Sequence, residues 1–186
     1  MRCARIPCLN KYFCIGRNDL DLQKIVIFSA PIRSGKTTAL MRWAAETPRI
    51  GGVLAPDVEG LRTILTLGDG KVHPFQLMEE AAGEGGEEVV RIGRFCFSAY
   101  TLELVRKTLL EDCRGAFDWL VIDEIGKLEM EGMGYEPAAG EVVALYNKGE
   151  ARGRLLLVVR SQLLEPVIAK YGLKNCTVIH STKELS

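Results

Sequence analysis

Five stretches of this chain are apolar with little interruption: "KIVIFSA" (24–30), "GGVLAP" (51–56), "DWLVIDE" (118–124), "RLLLVVR" (154–160) and "CTVIH" (176–180). A strand without polar alternation is one covered on both faces, so these five read as the buried strands of a mostly parallel sheet. Between them the apolar period lengthens to that of a helix. Over 36–46, Leu40, Trp43 and Ala44 share one face, and Thr47-Pro48 ends the run because proline disfavours helical backbone in the residue before it. Over 99–114, Leu102, Val105, Leu109 and Cys113 line one side, with Ser98 as N-cap and Gly115 as the stop. A third helix is expected over 137–148, with Pro137 suited to its first turn, and a short one over 165–172. Strands alternating with helices predict an α/β fold whose sheet is covered on both faces. Two hairpins interrupt the alternation: residues 61–78 around "GDG", and 87–97, "EEVVRIGRFCF". The glycine-rich, glutamate-rich stretch 79–88 reads as a solvated surface loop.

At 186 residues the chain is expected to form a single domain over 24–186, preceded by a basic, cysteine-containing leader over 1–23 in which "KYFCIG" (11–16) is a candidate edge strand. Lysine plus arginine and aspartate plus glutamate both total 24, so the net charge is zero, and this argues against nucleic acid held by bulk electrostatics. No apolar run approaches the ~18–20 residues of a membrane span, and the N-terminal stretch lacks the apolar core of a secretory signal. A cytoplasmic protein is expected. The cysteines agree: Cys3, Cys8 and Cys14 are spaced by four and five residues, which matches no paired-ligand zinc pattern, and Cys96, Cys113 and Cys176 lie in core-like segments. All six read as reduced thiols, with a metal or redox role for the first three as the weaker reading.

One loop carries candidate chemistry. Ala30-Pro31-Ile32-Arg33-Ser34-Gly35-Lys36-Thr37, followed by Thr38, joins a buried strand to an amphipathic helix. It fits the phosphate-binding pattern G-x-x-x-x-G-K-[ST] except at its first position. Gly35 allows the backbone close to phosphate, and the amides that follow point inward at a helix start. Lys36 supplies a charge for the β and γ phosphates, and the Thr37 hydroxyl suits Mg²⁺. The first position only ends the strand and turns the chain, so the small Ala30 serves.

"WLVIDEIGKLEM" (119–130) supplies the complement. Acidic residues at the end of a buried strand lie in the crevice at the carboxyl edge of the sheet. Asp123 is placed to orient Mg²⁺, and Glu124 to position or deprotonate an attacking water. Binding alone would need only the aspartate; the adjacent glutamate points to hydrolysis. Phosphoryl transfer also draws on cations, for which Lys127 and Arg160 are the nearest candidates, with Arg33, Arg91 and Arg94 behind them. His73 and His180 read as structural or exposed.

The pair "APIRSGKTT" and "VIDEIGKLEM" resembles the thermophilic/cancer-related nucleoside-triphosphatase family, whose second motif reads D-E-I-G-K-x-E. Asp123, Glu124, Ile125, Gly126, Lys127 and Glu129 match it, and the likeness runs from about residue 24 to 180. The family's loop opens on glycine where this chain has Ala30. The resemblance implies a small P-loop protein, a compact three-layer α/β/α sandwich with a β-hairpin insertion. It also implies slow, Mg²⁺-dependent hydrolysis of several nucleoside triphosphates, ATP and GTP among them, to diphosphate and phosphate. Two other readings stay open: a nucleotide or small-molecule kinase on the same scaffold, and a nucleotide-binding switch that needs a partner, protein or RNA, for turnover. "NKGE" (147–150) is no guanine-selecting motif, so the preferred base is not legible.

Overall fold

The computed structural model describes residues 23–32, 34–78 and 88–185. The leader up to residue 22, Arg33 and most of the acidic loop lie outside them.

All five buried strands form where the apolar runs place them. β1 (Ile25–Ala30) pairs in parallel with both β10 (Arg154–Arg160) and β11 (Cys176–Ile179). β9 (Trp119–Ile125) lies between β10 and β2 (Ile50–Leu54), again in parallel. Side chains alternate between two cores. Ile25, Ile27, Leu120, Ile122, Leu155 and Leu157 face one side, and Val26, Phe28, Val121, Leu156 and Val158 the other. Helices α2 (Ala99–Arg114), α4 (Ala138–Asn147) and α5 (Leu164–Tyr171) cover the first face. Helix α1 (Lys36–Glu46) covers the second through Leu40, Trp43 and Ala44, with the Trp43 ring edge-on to Trp119 at 5.3 Å. The fold is a three-layer α/β/α sandwich.

The helix ends follow the sequence signals. The Ser98 hydroxyl accepts the Thr101 amide at 3.1 Å, and Gly115 donates back to Asp112 at the far end of α2. Pro137 sits at the cap of α4 rather than in its first turn.

The insertion contains more than hairpins. β4 (Leu61–Thr66) and β5 (Lys71–Pro74) are the expected first pair, but β4 also runs antiparallel to β2 and to the two-residue β3 (Asp57–Val58). Among the described residues the main sheet therefore has eight strands, its parallel part extended by an antiparallel edge. β7 (Val89–Ile92) and β8 (Phe95–Ser98) make the second hairpin, and β6 (Gln76–Leu77) joins β8 in a separate three-stranded sheet. In β2, Gly52 has φ 89°, and a Cβ there would come within 2.0 Å of the Val121 carbonyl oxygen, so this close strand contact requires glycine. No helix among the described residues is long and apolar enough to cross a membrane. Cys96, Cys113 and Cys176 are free thiols; Cys3, Cys8 and Cys14 lie outside the described residues.

Candidate active site

Four parallel strands end at one edge and deliver the site there. β1 ends at Ala30, β2 runs into Ala55, β9 ends in Asp123, Glu124 and Ile125, and β10 ends at Arg160. Gly35 caps α1 with φ 79°, and a side chain there would meet no atom within 4 Å. The requirement for glycine is thus one of backbone hand, not of space. Lys36 is buried at 7% exposure, its Nζ donating to the Ala30 carbonyl at 3.2 Å and the Pro31 carbonyl at 2.9 Å. Lys36, Thr37 and Thr38 open α1 and line a cleft there, where a helix start favours anions.

Thr37 joins the loop to the acidic strand. Its hydroxyl donates to Asp123 Oδ2 at 3.1 Å, and the Ala55 amide donates to the same oxygen at 3.2 Å. Asp123 is 1% exposed, and its Oδ1 is buried without a hydrogen-bond partner among the described residues. Burial pushes the carboxyl up to about 6, against the lowering effect of the Ala55 and Thr37 bonds; the neighbouring Glu124 charge adds to the rise.

Glu124 owes its direction to an irregularity in the sheet. Val158 of β10 faces Asp123, but Val159 faces Ile125, leaving Glu124 as an extra residue on β9. Such an insertion bends a strand end and re-aims a side chain. The Glu124 carboxylate pairs with Arg160 Nε.

The loop cleft has a volume of about 400 Å³ and is lined by Ile32, Ser34, Gly35, Lys36, Thr37 and Thr38 on one wall. Glu124 and Arg160 stand opposite, together with Asp57 and Arg62. The last two were missed in the sequence, where Asp57 follows a buried strand at the ligand edge and so carried a usable signal; Arg62 carried none. Their side chains approach to 3.4 Å.

The remaining candidates lie elsewhere. Lys127 opens the short helix α3 (Lys127–Met130) and lines an adjoining cleft, not the loop cleft. Arg91 donates to Cys96 Sγ at 3.3 Å, and Arg94 lies 5.0 Å from the centre of the Phe95 ring, both within the second hairpin. Arg33 lies outside the described residues. His73 Nε2 is 3.5 Å from the Thr66 hydroxyl, and His180 Nδ1 is 2.8 Å from the Ser29 carbonyl oxygen, fixing β11 to the end of β1.

Helix α3 itself escaped the sequence reading. Glu129 is 4% exposed and accepts the Gly126 amide at 2.8 Å and the Tyr135 amide at 3.0 Å, closing residues 126–135 into a compact turn behind the acidic pair. Tyr135 in turn donates its hydroxyl to the Asp123 carbonyl at 3.3 Å.

No family model matches the chain, and no curated protein matches it in sequence. Two solved structures do match it in fold. The crystal structure of THEP1 from the hyperthermophile Aquifex aeolicus superposes with a TM-score of 0.58 at 18% identity, covering 84% of this chain and 88% of that one. The solution structure of a human cancer-related nucleoside triphosphatase gives 0.54 at 22% identity, over 87% of this chain and 90% of that one. The chain has their fold. That agreement spans most of both partners.

Proposed function

We propose that this protein hydrolyses nucleoside triphosphates to diphosphate and phosphate, with Mg²⁺ and without strong preference for the base. The observation that carries the reading is the joint of Thr37 and Asp123, with Glu124 and Arg160 one step away in the same cleft. The name of the human structural neighbour, a nucleoside triphosphatase, agrees with it.

The residues present fit a magnesium ion. The donor set is a hydroxyl and a carboxylate, both hard oxygen, and Asp123 Oδ1 is buried with no partner of its own. Magnesium on such loops takes few protein oxygens and completes its shell with water and phosphate. When bound, the ion neutralises charge on the β and γ phosphates.

The chain's own groups divide the rest of the work. Lys36 exchanges its two carbonyl partners for phosphate oxygens, a stronger, charge-assisted contact. The α1 amides hold the phosphates by their backbone donors. Glu124 orients a water for in-line attack and takes its proton as the bond to the leaving diphosphate breaks. Arg160 keeps the Glu124 carboxylate in place and adds positive charge where the γ-phosphoryl separates.

The test is phosphate release from ATP, GTP, CTP and UTP with Mg²⁺, for the native chain and for Glu124→Gln. Turnover on several nucleotides, lost in a variant that still binds them, is the expected result. Unchanged release from the variant, or none from the native chain, would sink the reading.

A further inference from the structure

A second cleft, of about 450 Å³, shares the Glu124–Arg160 pair with the loop cleft. Asp57, Arg62, Glu124 and Arg160 line both clefts, and no described residue of the phosphate loop lines the second. The walls differ in kind. Phe75, Phe95 and Phe97 come from the insertion, with the Phe75 and Phe97 rings 4.7 Å apart and the Phe95 and Phe97 rings 6.3 Å apart. Leu128 and Tyr135 close the opposite side from the turn that Glu129 holds.

Attack by water needs room for one small molecule beside Glu124. A cleft of this size with an aromatic wall, meeting the loop cleft at the same carboxylate, exceeds that need. It has the layout of a transfer between two ligands, in which donor phosphate and acceptor oxygen occupy separate clefts that meet at one catalytic base. Aromatic faces hold flat rings by offset or edge contacts, and Gln76 at the lining offers an amide donor and acceptor for a ring edge. Lys127, which lines this cleft and not the loop cleft, stands beside the acceptor.

We infer that the second cleft binds a nucleoside-sized aromatic alcohol, and that its hydroxyl competes with water for the γ-phosphoryl group. The acceptor oxygen forms the new bond to the γ-phosphorus, its proton passes to Glu124, and the bond to the β–γ bridging oxygen breaks. The products are the phosphorylated alcohol and a nucleoside diphosphate. The inference rests on the triphosphatase reading for the donor side, and adds an acceptor.

The experiment incubates the full chain with γ-labelled ATP and Mg²⁺, alone and with adenosine, guanosine, cytidine or thymidine, and separates labelled products. Calorimetry measures binding of the same nucleosides to the ADP-bound protein. The native chain is expected to bind at least one nucleoside and to place label on it. Phe95→Ala, at a residue already 40% exposed, is expected to weaken that binding roughly tenfold while release of phosphate from ATP alone stays unchanged. Hydrolysis of ATP with no nucleoside bound overturns the acceptor site and leaves the triphosphatase reading intact. Nucleoside binding with label only in inorganic phosphate overturns the transfer. A Phe95→Ala chain whose KM for ATP rises in the absence of nucleoside overturns it differently, by assigning the aromatic wall to the donor's own base.

Discussion

Asp123 is a buried carboxylate with one oxygen held twice and the other not at all. That is a poor arrangement for stability, since a buried charge without full compensation costs free energy. Asp123→Asn should therefore separate the two properties. Phosphate release with Mg²⁺ is expected to fall on the order of a hundredfold, because the neutral amide no longer helps to hold the ion. The thermal midpoint of the ligand-free chain at neutral pH is expected to stay level or rise. A variant that loses activity and stability together would contradict the metal-holding role. Lys36, Thr37 and Asp123 were legible as residues because their chemistry is tied to a strand-loop-helix context that periodicity reveals. Arg62 was not. Its place in the cleft depends on β4 pairing with β3 and β2, and nothing in its local sequence announces those partners.

At the scale of elements, the turn 126–135 is organised by a single side chain. Glu129→Ala would leave the Gly126 and Tyr135 amides without their acceptor, at about 1–3 kcal/mol for each buried group, and urea unfolding should show the combined loss. Gly134→Ala should act in the same direction, since its Cβ would fall 2.1 Å from Glu129 Oε1 at a φ of 63°. This dependence explains why α3 was invisible in the sequence: four residues carry no period, and the stabilising contact is a carboxylate folded back on the backbone. β3 and β6, two residues each, were hidden for the same reason. The hairpin at 61–78 was legible as a pair, yet its attachment to the main sheet was not, because turn chemistry names the two strands it joins and no third. Helix α2 makes a separate, pH-dependent contact with β2. Asp112 Oδ2 accepts the Gly52 amide at 2.7 Å, and burial raises the Asp112 carboxyl above its ordinary 3.8. The native state therefore keeps this proton to higher pH than the unfolded chain does. Stability from this group is full below about 3.8 and declines as pH rises through the raised native value. Asp112→Asn should flatten that decline, read as urea midpoints across mildly acidic pH; an unchanged slope would count against it.

Taken whole, the molecule gathers its functional groups at the carboxyl edge of the sheet, from segments that do not touch one another in the chain. A ligand that spans the loop and the acidic pair binds only the folded arrangement, so it must stabilise it. Mg-ADP at a hundred times its Kd should add about 2.7 kcal/mol, or roughly 5–10 °C in Tm for a chain of this size. Lys36→Ala should remove most of that shift; a full shift in the variant would place the nucleotide elsewhere. The parallel core and its two-sided covering were readable from the runs of apolar residues, whereas the order of strands was not written in any one of them. That order has a consequence for synthesis. Ile25 of β1 lies beside Leu155 on one side and Cys176 on the other. A ribosome delivers β1 with neither neighbour in existence, and both arrive roughly a hundred or more residues later. The strand that will carry the phosphate loop thus waits with both hydrogen-bonding edges unpaired until those neighbours emerge. β10 must enter between β1 and β9 before β11 can close the outer edge, and the nascent chain needs shielding over that interval.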